Sequence, residues 1–167
     1  MQKNISSTQW RFMAMKSAAR LYRYDAVITS WAGSAISLAL RLYLGWQFFK
    51  SGMVKLSDWN STLMLFQYEY QVPWLPPHLA AWLGAGSEMF LPVLLFAGLA
   101  ARPAALALFC VNLTAVISYP ALFSADCPAG LNDHFYWGIL MLVLLAYGPG
   151  KLSLDAMLGR RAMRHEA

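Results

Sequence analysis

The sequence contains little charge, since only 13% of its 167 residues are charged whereas 59% are hydrophobic. Its mean hydropathy of +0.44 is too high for an ordinary soluble domain and is typical of a protein that crosses a membrane several times. The net charge of +5 does not indicate nucleic-acid binding, because the basic residues flank apolar runs and form no patch with base-reading side chains.

Cysteine is scarce as well. The two cysteines, Cys110 and Cys127, do not form a CxxC motif, and their number excludes a disulfide framework. The sequence also lacks a phosphate-binding loop, a zinc-hydrolase motif and a Ser-His-Asp triad with a placeable geometry. Neither a hydrolase nor a dithiol oxidoreductase is therefore indicated.

Apolar runs dominate what the sequence does contain. A membrane-spanning helix needs ~20 mostly apolar residues, and four runs approach or exceed this length, the fourth being short. The predicted fold class is an all-α integral membrane protein, an antiparallel four-helix transmembrane bundle with an amphipathic N-terminal helix. The predicted spans are residues 30–55, 80–101, 103–123 and 134–147.

These spans divide the chain into a basic amphipathic segment (1–29), a membrane domain (30–158) and a basic tail (159–167). Residues 56–79 are too polar to span a membrane but rich in aromatic side chains, and we expect them to form an interfacial lid with a short helix over 61–70. Three polar residues are candidates for the N-cap of that helix: Asp58, Asn60 and Ser61.

The distribution of lysine and arginine predicts the orientation. Ten of the 13 basic residues lie in the N-terminal segment, the second turn and the C-terminal tail, which the bundle places on one side. Because cytoplasmic loops are enriched in Lys and Arg, we expect a multi-pass protein of the lipid bilayer with both termini in the cytoplasm.

Arg41 lies inside the first apolar run. A guanidinium at the centre of a bilayer costs ~2.5 kcal/mol or more unless it faces protein or water, so Arg41 must point into the bundle. At ~100° per residue, its face carries small or polar residues: Ser34, Gly45, Phe48, Gly52 and Lys55. The remaining circumference suits lipid or apolar neighbours: Ile36, Leu38, Leu40, Leu42, Leu44, Trp46 and Phe49.

Glu88 lies near the middle of the second apolar run, on a face that it shares with Gly84 and Gly98. Since antiparallel helices place their midpoints at the same depth, we expect Arg41 and Glu88 to approach each other. Such a pair either locks two helices together or forms a proton and ligand site. Asn112, in the middle of the third run, is expected to hydrogen-bond across the bundle.

His134 is predicted at the mouth of the fourth span. It is a candidate proton acceptor, and a candidate copper or zinc ligand together with His78 and Cys127, although the spacing fits no known ligand motif. The alternative is an interfacial histidine that caps a helix and bonds a loop. Tyr119 and Trp137 are candidate walls for a flat ring.

Three stretches of the chain carry a resemblance to known proteins: LRLYLGWQFFKSGMVKL (40–56), SEMFLPVLLFAGLAARPAAL (87–106) and GPGKLSLD (148–155). Together they resemble the DoxX/DoxD family of small four-helix bacterial membrane proteins, over roughly residues 35–158. The resemblance assigns the family's buried basic residue to Arg41, its lysine after the first span to Lys55 and its second-span acid to Glu88.

The resemblance implies a link to redox chemistry, because one branch of the family is a subunit of a thiosulfate:quinone oxidoreductase. We therefore expect a membrane subunit or accessory protein of an oxidoreductase system that contacts quinone or quinol. The expected catalytic residues are Arg41, Glu88 and His134. The expected ring-binding residues are Arg41, Lys55, Glu88, Asn112, Tyr119 and Trp137.

An alternative function remains open. Residues 65–77 are similar to a segment of relatives found beside genes for copper-binding modified peptides. On that interpretation, the protein is a non-catalytic membrane partner of a periplasmic copper-binding peptide or of a metal or stress-response system. Either function implies protein partners in a membrane complex, and the small residues on the helix faces also permit a homo-oligomer.

Overall fold

The computed structural model describes the backbone of residues 7–124 and 128–165 and the side chains of residues 22–124 and 129–161. The described residues form six α-helices and one short 3-10 helix (Pro120–Phe123), with no strand. The α-helices are α1 (Ser7–Ser57), α2 (Trp59–Tyr68), α3 (Pro77–Ala97), α4 (Ala101–Ser118), α5 (Pro128–Tyr147) and α6 (Leu154–His165).

Four helices are long and apolar enough to cross a membrane: α1 from Tyr22 onward, α3, α4, and α5 from Ala129 onward. They form a closed antiparallel ring in which α1 packs against α3, α3 against α4, α4 against α5, and α5 against α1. The predicted fold class, an all-α membrane bundle of four helices, is confirmed.

The core of the ring contains one fully buried side chain from each of these helices: Leu44, Leu95, Leu108 and Met141. Burying such side chains contributes ~1.5–3 kcal/mol each relative to exposure in water. Leu44, predicted to suit lipid or apolar neighbours, has apolar neighbours, since it belongs to one buried cluster with Met141 and Leu144 of α5. Ile36, Leu42 and Trp46 are exposed on the outer surface, as predicted.

The small and polar face of α1 is buried against α3. A Cβ atom added at Gly45 would collide with the ring of Phe96, and one at Gly52 would lie 3.1 Å from the backbone carbon of Glu88. Glycine at these two positions therefore lets the helices approach closely. The predicted meeting of the two polar faces is confirmed.

Several helix boundaries differ from the predictions for physical reasons. Helix α1 runs through residue 29 without a break, so the N-terminal segment continues directly into the first span. Helix α4 ends at Ser118 because Pro120 cannot continue it. Helix α5 begins at Pro128 rather than near Asn132, since proline is well suited to the first turn of a helix.

Helix α2 and residues 69–76 form the lid. Asp58 caps α2, because its carboxylate accepts a hydrogen bond from the backbone N–H of Ser61 at 3.0 Å, which confirms one of the three candidate caps. Phe66 packs on the first turns of α3, and the backbone N–H of Gln71 donates to the carbonyl oxygen of Ser118 at 2.7 Å. These contacts fix the lid over one end of the ring, the lid end.

The opposite end, called the α6 end, is closed by the segment that follows α5. Asp155 accepts hydrogen bonds from the backbone N–H groups of Ala100 and Ala101, at 2.8 and 3.0 Å, and so caps α4 from another helix. Its own N–H donates to the carbonyl oxygen of Gly98 at 3.0 Å. Ala100 has a left-handed backbone and provides no side-chain cap itself, so α4 depends on Asp155.

Asp155→Ala should therefore destabilise the bundle by ~1–2 kcal/mol, the usual cost of losing an N-cap side chain. The measurement is the midpoint of unfolding of the detergent-solubilised protein in a denaturant titration. Asp133→Ala is the matched control, because Asp133 is an exposed carboxylate on α5. An Asp155→Ala midpoint equal to that of Asp133→Ala would contradict the capping role.

Candidate functional site

The two charged side chains that the structure brings together inside the bundle are Lys55 and Glu88. Nζ of Lys55 lies 2.7 Å from Oε2 of Glu88, and only 14% and 9% of the two side-chain surfaces are exposed. Nζ also donates to Oγ of Ser51 at 2.8 Å. Removing one partner of such a buried ion pair destabilises a folded protein by ~3–5 kcal/mol, because the other charge is left unpaired.

The packing of α1 on α3 positions this pair. Lys55 lies in the last turn of α1, one turn after Gly52, whose missing side chain admits the backbone of α3 at Glu88. The carbonyl oxygen of Lys55 accepts a hydrogen bond from Oγ1 of Thr62 at 2.8 Å, which ties the end of α1 to the lid helix. The last turn of α1, which carries Lys55, is therefore held by α3 on one side and by α2 on the other.

A cavity of about 330 Å³ adjoins the ion pair. Its walls come from the end of α1, the lid, α3 and α4, and are mostly apolar: Phe66, Tyr70, Val72, Leu75, Ala80, Leu83, Gly84, Val111 and Ala115. Its polar lining residues are Lys55, Ser87, Glu88, Thr114 and Ser118, together with the thiol of Cys110. This volume lies within the usual range for small-molecule sites, ~300–1,000 Å³.

The cavity opens at the outer surface of the ring between α3 and α4. Leu83 on α3 and Cys110 and Thr114 on α4 line it and are themselves exposed. Because this surface belongs to helices long enough to span a membrane, the opening faces lipid. A ligand can therefore place a head group against the ion pair while an apolar tail extends into the bilayer.

The lid forms the remaining wall. The rings of Tyr70 and Phe66 lie 4.9 Å apart, and those of Tyr70 and Tyr119 lie 5.0 Å apart. Burial, together with the charge of Glu88, the phenol of Tyr119 and the charge of Glu69, raises the pKa of Tyr70 to about 12. The phenol of Tyr70 thus stays protonated at neutral pH. Tyr119 supports Tyr70 from behind and is not part of the cavity lining.

Arg41 is fully buried but does not meet Glu88, so that expectation was wrong. Its Nη1 donates to the carbonyl oxygen of Leu95 at 3.1 Å, and its Nη2 donates to the carbonyl oxygen of Leu152. Arg41 and Lys55 are separated by roughly 21 Å along α1 at ~1.5 Å per residue. Arg41 therefore belongs to the α6 end, whereas Glu88 belongs to the lid end.

The surroundings of Arg41 are built to hold it in place. Gly98 has a φ of 64°, and a Cβ atom there would collide with Nη1 of Arg41. Ser37, one turn before Arg41, donates to the carbonyl oxygen of Gly148 at 2.8 Å. The guanidinium thus connects α1, the end of α3 and the segment after α5, and it is not part of the cavity lining.

His134, Asn112 and Trp137 form a second group, away from the cavity lining. Nδ1 of His134 lies 2.7 Å from Oδ1 of Asn112, whose Nδ2 donates to the carbonyl oxygen of His134 at 2.9 Å. The rings of His134 and Trp137 contact each other edge to face, 5.1 Å apart. The pairing of Asn112 with His134 joins α4 to α5, as expected for a polar contact between helices.

The two described residues of the alternative metal site, His78 and His134, belong to no group of three or more potential metal ligands among the described residues. His78 is exposed in the first turn of α3, and Cys127 lies outside the described residues. Among the residues whose side chains are described, no group of three or more His, Cys, Asp or Glu side chains is arranged to hold a metal ion. The copper interpretation therefore stays a prediction without a structural site.

The sequence analysis missed the contribution of α4 to the cavity. Cys110, Thr114 and Ser118 recur at intervals of four residues and line the cavity along one face of α4. Residues at i and i+4 share a helix face, so this spacing was a usable signal. Asn112 is the stronger polar signal in this span, because it is larger, more polar and close to the middle.

Comparison with known proteins supplies the family. The sequence model of the DoxX family matches residues 36–121, about half of the chain, including Lys55, Glu88 and Ser118. A relative from Haemophilus influenzae, described as an uncharacterized protein, is 33% identical over 138 residues, which cover 75% of this chain and 85% of the relative. No solved structure matches the chain.

The match and the fold agree. Family membership indicates a membrane protein and links it in general terms to oxidoreductase functions, and the four apolar helices place the chain in contact with a lipid bilayer. The family match and this relative together establish that the chain belongs to the DoxX family.

Proposed function

We propose that this protein is a membrane subunit or accessory protein of an oxidoreductase system and that it binds a quinone or quinol in the cavity beside Lys55 and Glu88. The observation that carries this proposal is the position of a buried ion pair at the wall of a mostly apolar cavity that opens between α3 and α4. Intramembrane charges usually mark functional sites.

The residues present fit a flat ring that carries two oxygen atoms. Among the described residues, the third N–H of Lys55 and Oε1 of Glu88 have no protein partner, so one donor and one acceptor remain at the wall. Phe66 and Tyr70 provide aromatic surfaces for the faces of a ring. The opening between α3 and α4 provides a path for an isoprenoid tail.

The chemistry of the pair follows from its charges. A quinone supplies two-electron, two-proton redox chemistry, with electrons exchanged with a partner protein of the oxidoreductase system. Nζ of Lys55 would donate a hydrogen bond to a ring oxygen and would stabilise negative charge on it. Oε1 of Glu88 would accept a hydrogen bond from a ring hydroxyl, while Oε2 keeps the ammonium of Lys55 paired.

Of the charged residues expected to bind the ring, Lys55 and Glu88 line the cavity and Arg41 does not. Both donors of Arg41 that are hydrogen-bonded reach backbone carbonyl oxygens, and Arg41 does not line the cavity. We accordingly assign Arg41 a structural role at the α6 end. The contacts among His134, Asn112 and Trp137 support the packing of α4 on α5. None of these three residues lines the cavity, so they do not contact a ligand there.

The competing interpretation is that Lys55 and Glu88 only join α1 to α3. The double variant Lys55→Met/Glu88→Leu separates the two interpretations, because replacing both partners of a buried pair by apolar residues is often neutral for stability. We expect the double variant to fold but to contain about tenfold less quinone per protein, or lower still, since a hydrogen bond to a charged group contributes ~1.5–3 kcal/mol.

The measurement is the amount of quinone per protein after purification in mild detergent, by organic extraction and chromatography. Lys50→Met is the matched control, because it removes an exposed lysine from the same helix and should leave the quinone content unchanged. Quinone retained by the folded double variant at the wild-type level, or absent from the wild-type protein when excess quinone is supplied, would contradict the proposed function.

We further propose that the α6 end faces the cytoplasm and the lid faces the opposite side of a bacterial inner membrane. The basic residues support this orientation, because Arg102, Lys151 and the arginines of α6 lie at the α6 end. The proposed protein partners on the lid side would contact the aromatic lid surface, where Tyr68 and Trp74 are exposed.

Single cysteines placed in a Cys110→Ser/Cys127→Ser background test this orientation. A membrane-impermeant maleimide added to intact spheroplasts should label Gln67→Cys on the lid helix. It should label Lys3→Cys and Glu166→Cys only after the membrane is permeabilised. Labelling of the two terminal positions in intact spheroplasts would contradict the proposed orientation.

A further inference from the structure

Ser118 carries a buried hydroxyl without a partner. The residue is 1% exposed, and its Oγ has no hydrogen bond to any described residue. Buried hydroxyls in proteins are nearly always hydrogen-bonded, because an unpaired polar group is costly in an apolar environment. The hydroxyl of Ser118 thus requires an explanation that the protein's own contacts do not provide.

The position of Ser118 suggests the missing partner, since the residue lines the same cavity as Lys55 and Glu88. The other serine and threonine hydroxyls of the cavity are already bonded within their own helices. Oγ of Ser87 donates to the carbonyl oxygen of Gly84 at 2.9 Å, and Oγ1 of Thr114 donates to that of Cys110 at 2.9 Å. Ser118 alone among these hydroxyls keeps its donor available to a molecule in the cavity.

The backbone of Ser118 is held firmly enough to direct that donor. Its carbonyl oxygen accepts the N–H of Gln71 at 2.7 Å, which ties the end of α4 to the lid. The next residue, Tyr119, contacts the ring of Tyr70. A hydroxyl fixed between the lid and α4 is preorganised to recognise a ligand atom, because little conformational freedom is lost on binding.

We propose that Ser118 is a specificity-determining residue of the cavity: its hydroxyl donates to a second oxygen of the ligand, while Lys55, held by Glu88, donates to the first. This inference rests on the proposed function and adds that the ligand carries acceptor oxygens on two separate sides of its ring. A ring with a single oxygen binds through the charged pair alone, because the charge-assisted hydrogen bond is the stronger of the two.

The test compares the binding of two ligands to the purified full-length protein by equilibrium dialysis. The compound 2,3-dimethyl-1,4-naphthoquinone has two ring carbonyls, whereas 1-tetralone keeps the fused ring system and one carbonyl. We expect Ser118→Ala to weaken binding of the quinone by about three- to tenfold, as for the loss of one neutral hydrogen bond. Binding of 1-tetralone should change by less than about twofold.

Ser124→Ala is the matched control, because it makes the same change at a hydroxyl that already donates to the carbonyl oxygen of Ala121 and does not line the cavity. It should leave the affinity for both ligands unchanged. Ser118→Ala removes a buried atom with no protein partner, so the thermal unfolding midpoint of the ligand-free protein should not fall below that of the wild type.

The outcomes separate this inference from the proposed function. If the wild-type protein binds neither ligand, the proposed function is wrong and the inference falls with it. If the wild-type protein and Ser118→Ala bind the quinone equally well, the inference alone is overturned. If Ser118→Ala lowered the affinity for both ligands equally, the inference would also be overturned, because such a result would indicate general damage to the cavity.

Discussion

Each buried cation in this bundle must find a partner inside the protein, because lipid offers none. Arg41 and Lys55 lie on the same face of α1 and meet this requirement in different ways. Arg41 donates to carbonyl oxygens of Leu95 and Leu152, the carboxylate of Asp155 acts on its charge from nearby, and its Nε has no partner among the described residues. Lys55 pairs with the carboxylate of Glu88. The first arrangement closes the α6 end, and the second creates a charged wall for a cavity at the lid end.

Helical periodicity was sufficient to predict the inward faces of α1 and α3. Arg41, Gly45, Gly52 and Glu88 all lie where an interval of ~100° per residue places them, toward a neighbouring helix. The same reasoning left open whether Leu44 meets lipid or apolar side chains, and the structure buries it in the core of the ring. Periodicity defines a face, but the sequence does not say which directions a neighbouring helix will cover.

The partner of Arg41 was not predictable in the same way. Its contact with Leu152 joins residues 111 positions apart, and its acceptors are backbone carbonyl oxygens, which every residue possesses. The expectation that Arg41 meets Glu88 assumed that each charge lay at the middle of its helix. The depth of each charged residue in the bundle depends on where α1 and α3 begin and end. With the observed bounds, Lys55 near the end of α1 lies beside Glu88. The stretch GPGKLSLD, which carried part of the family resemblance, closes the α6 end through Asp155 and does not contribute to the cavity.

The most direct test of the central claim is a structure of the protein in lipid with a bromine-substituted short-chain quinone, located by anomalous diffraction from bromine. We expect the bromine peak inside the cavity, between the Lys55–Glu88 pair and Ser118. A peak beside Arg41 at the α6 end, or a cavity that stays without bromine at saturating ligand, would contradict the assignment of the site to Lys55 and Glu88.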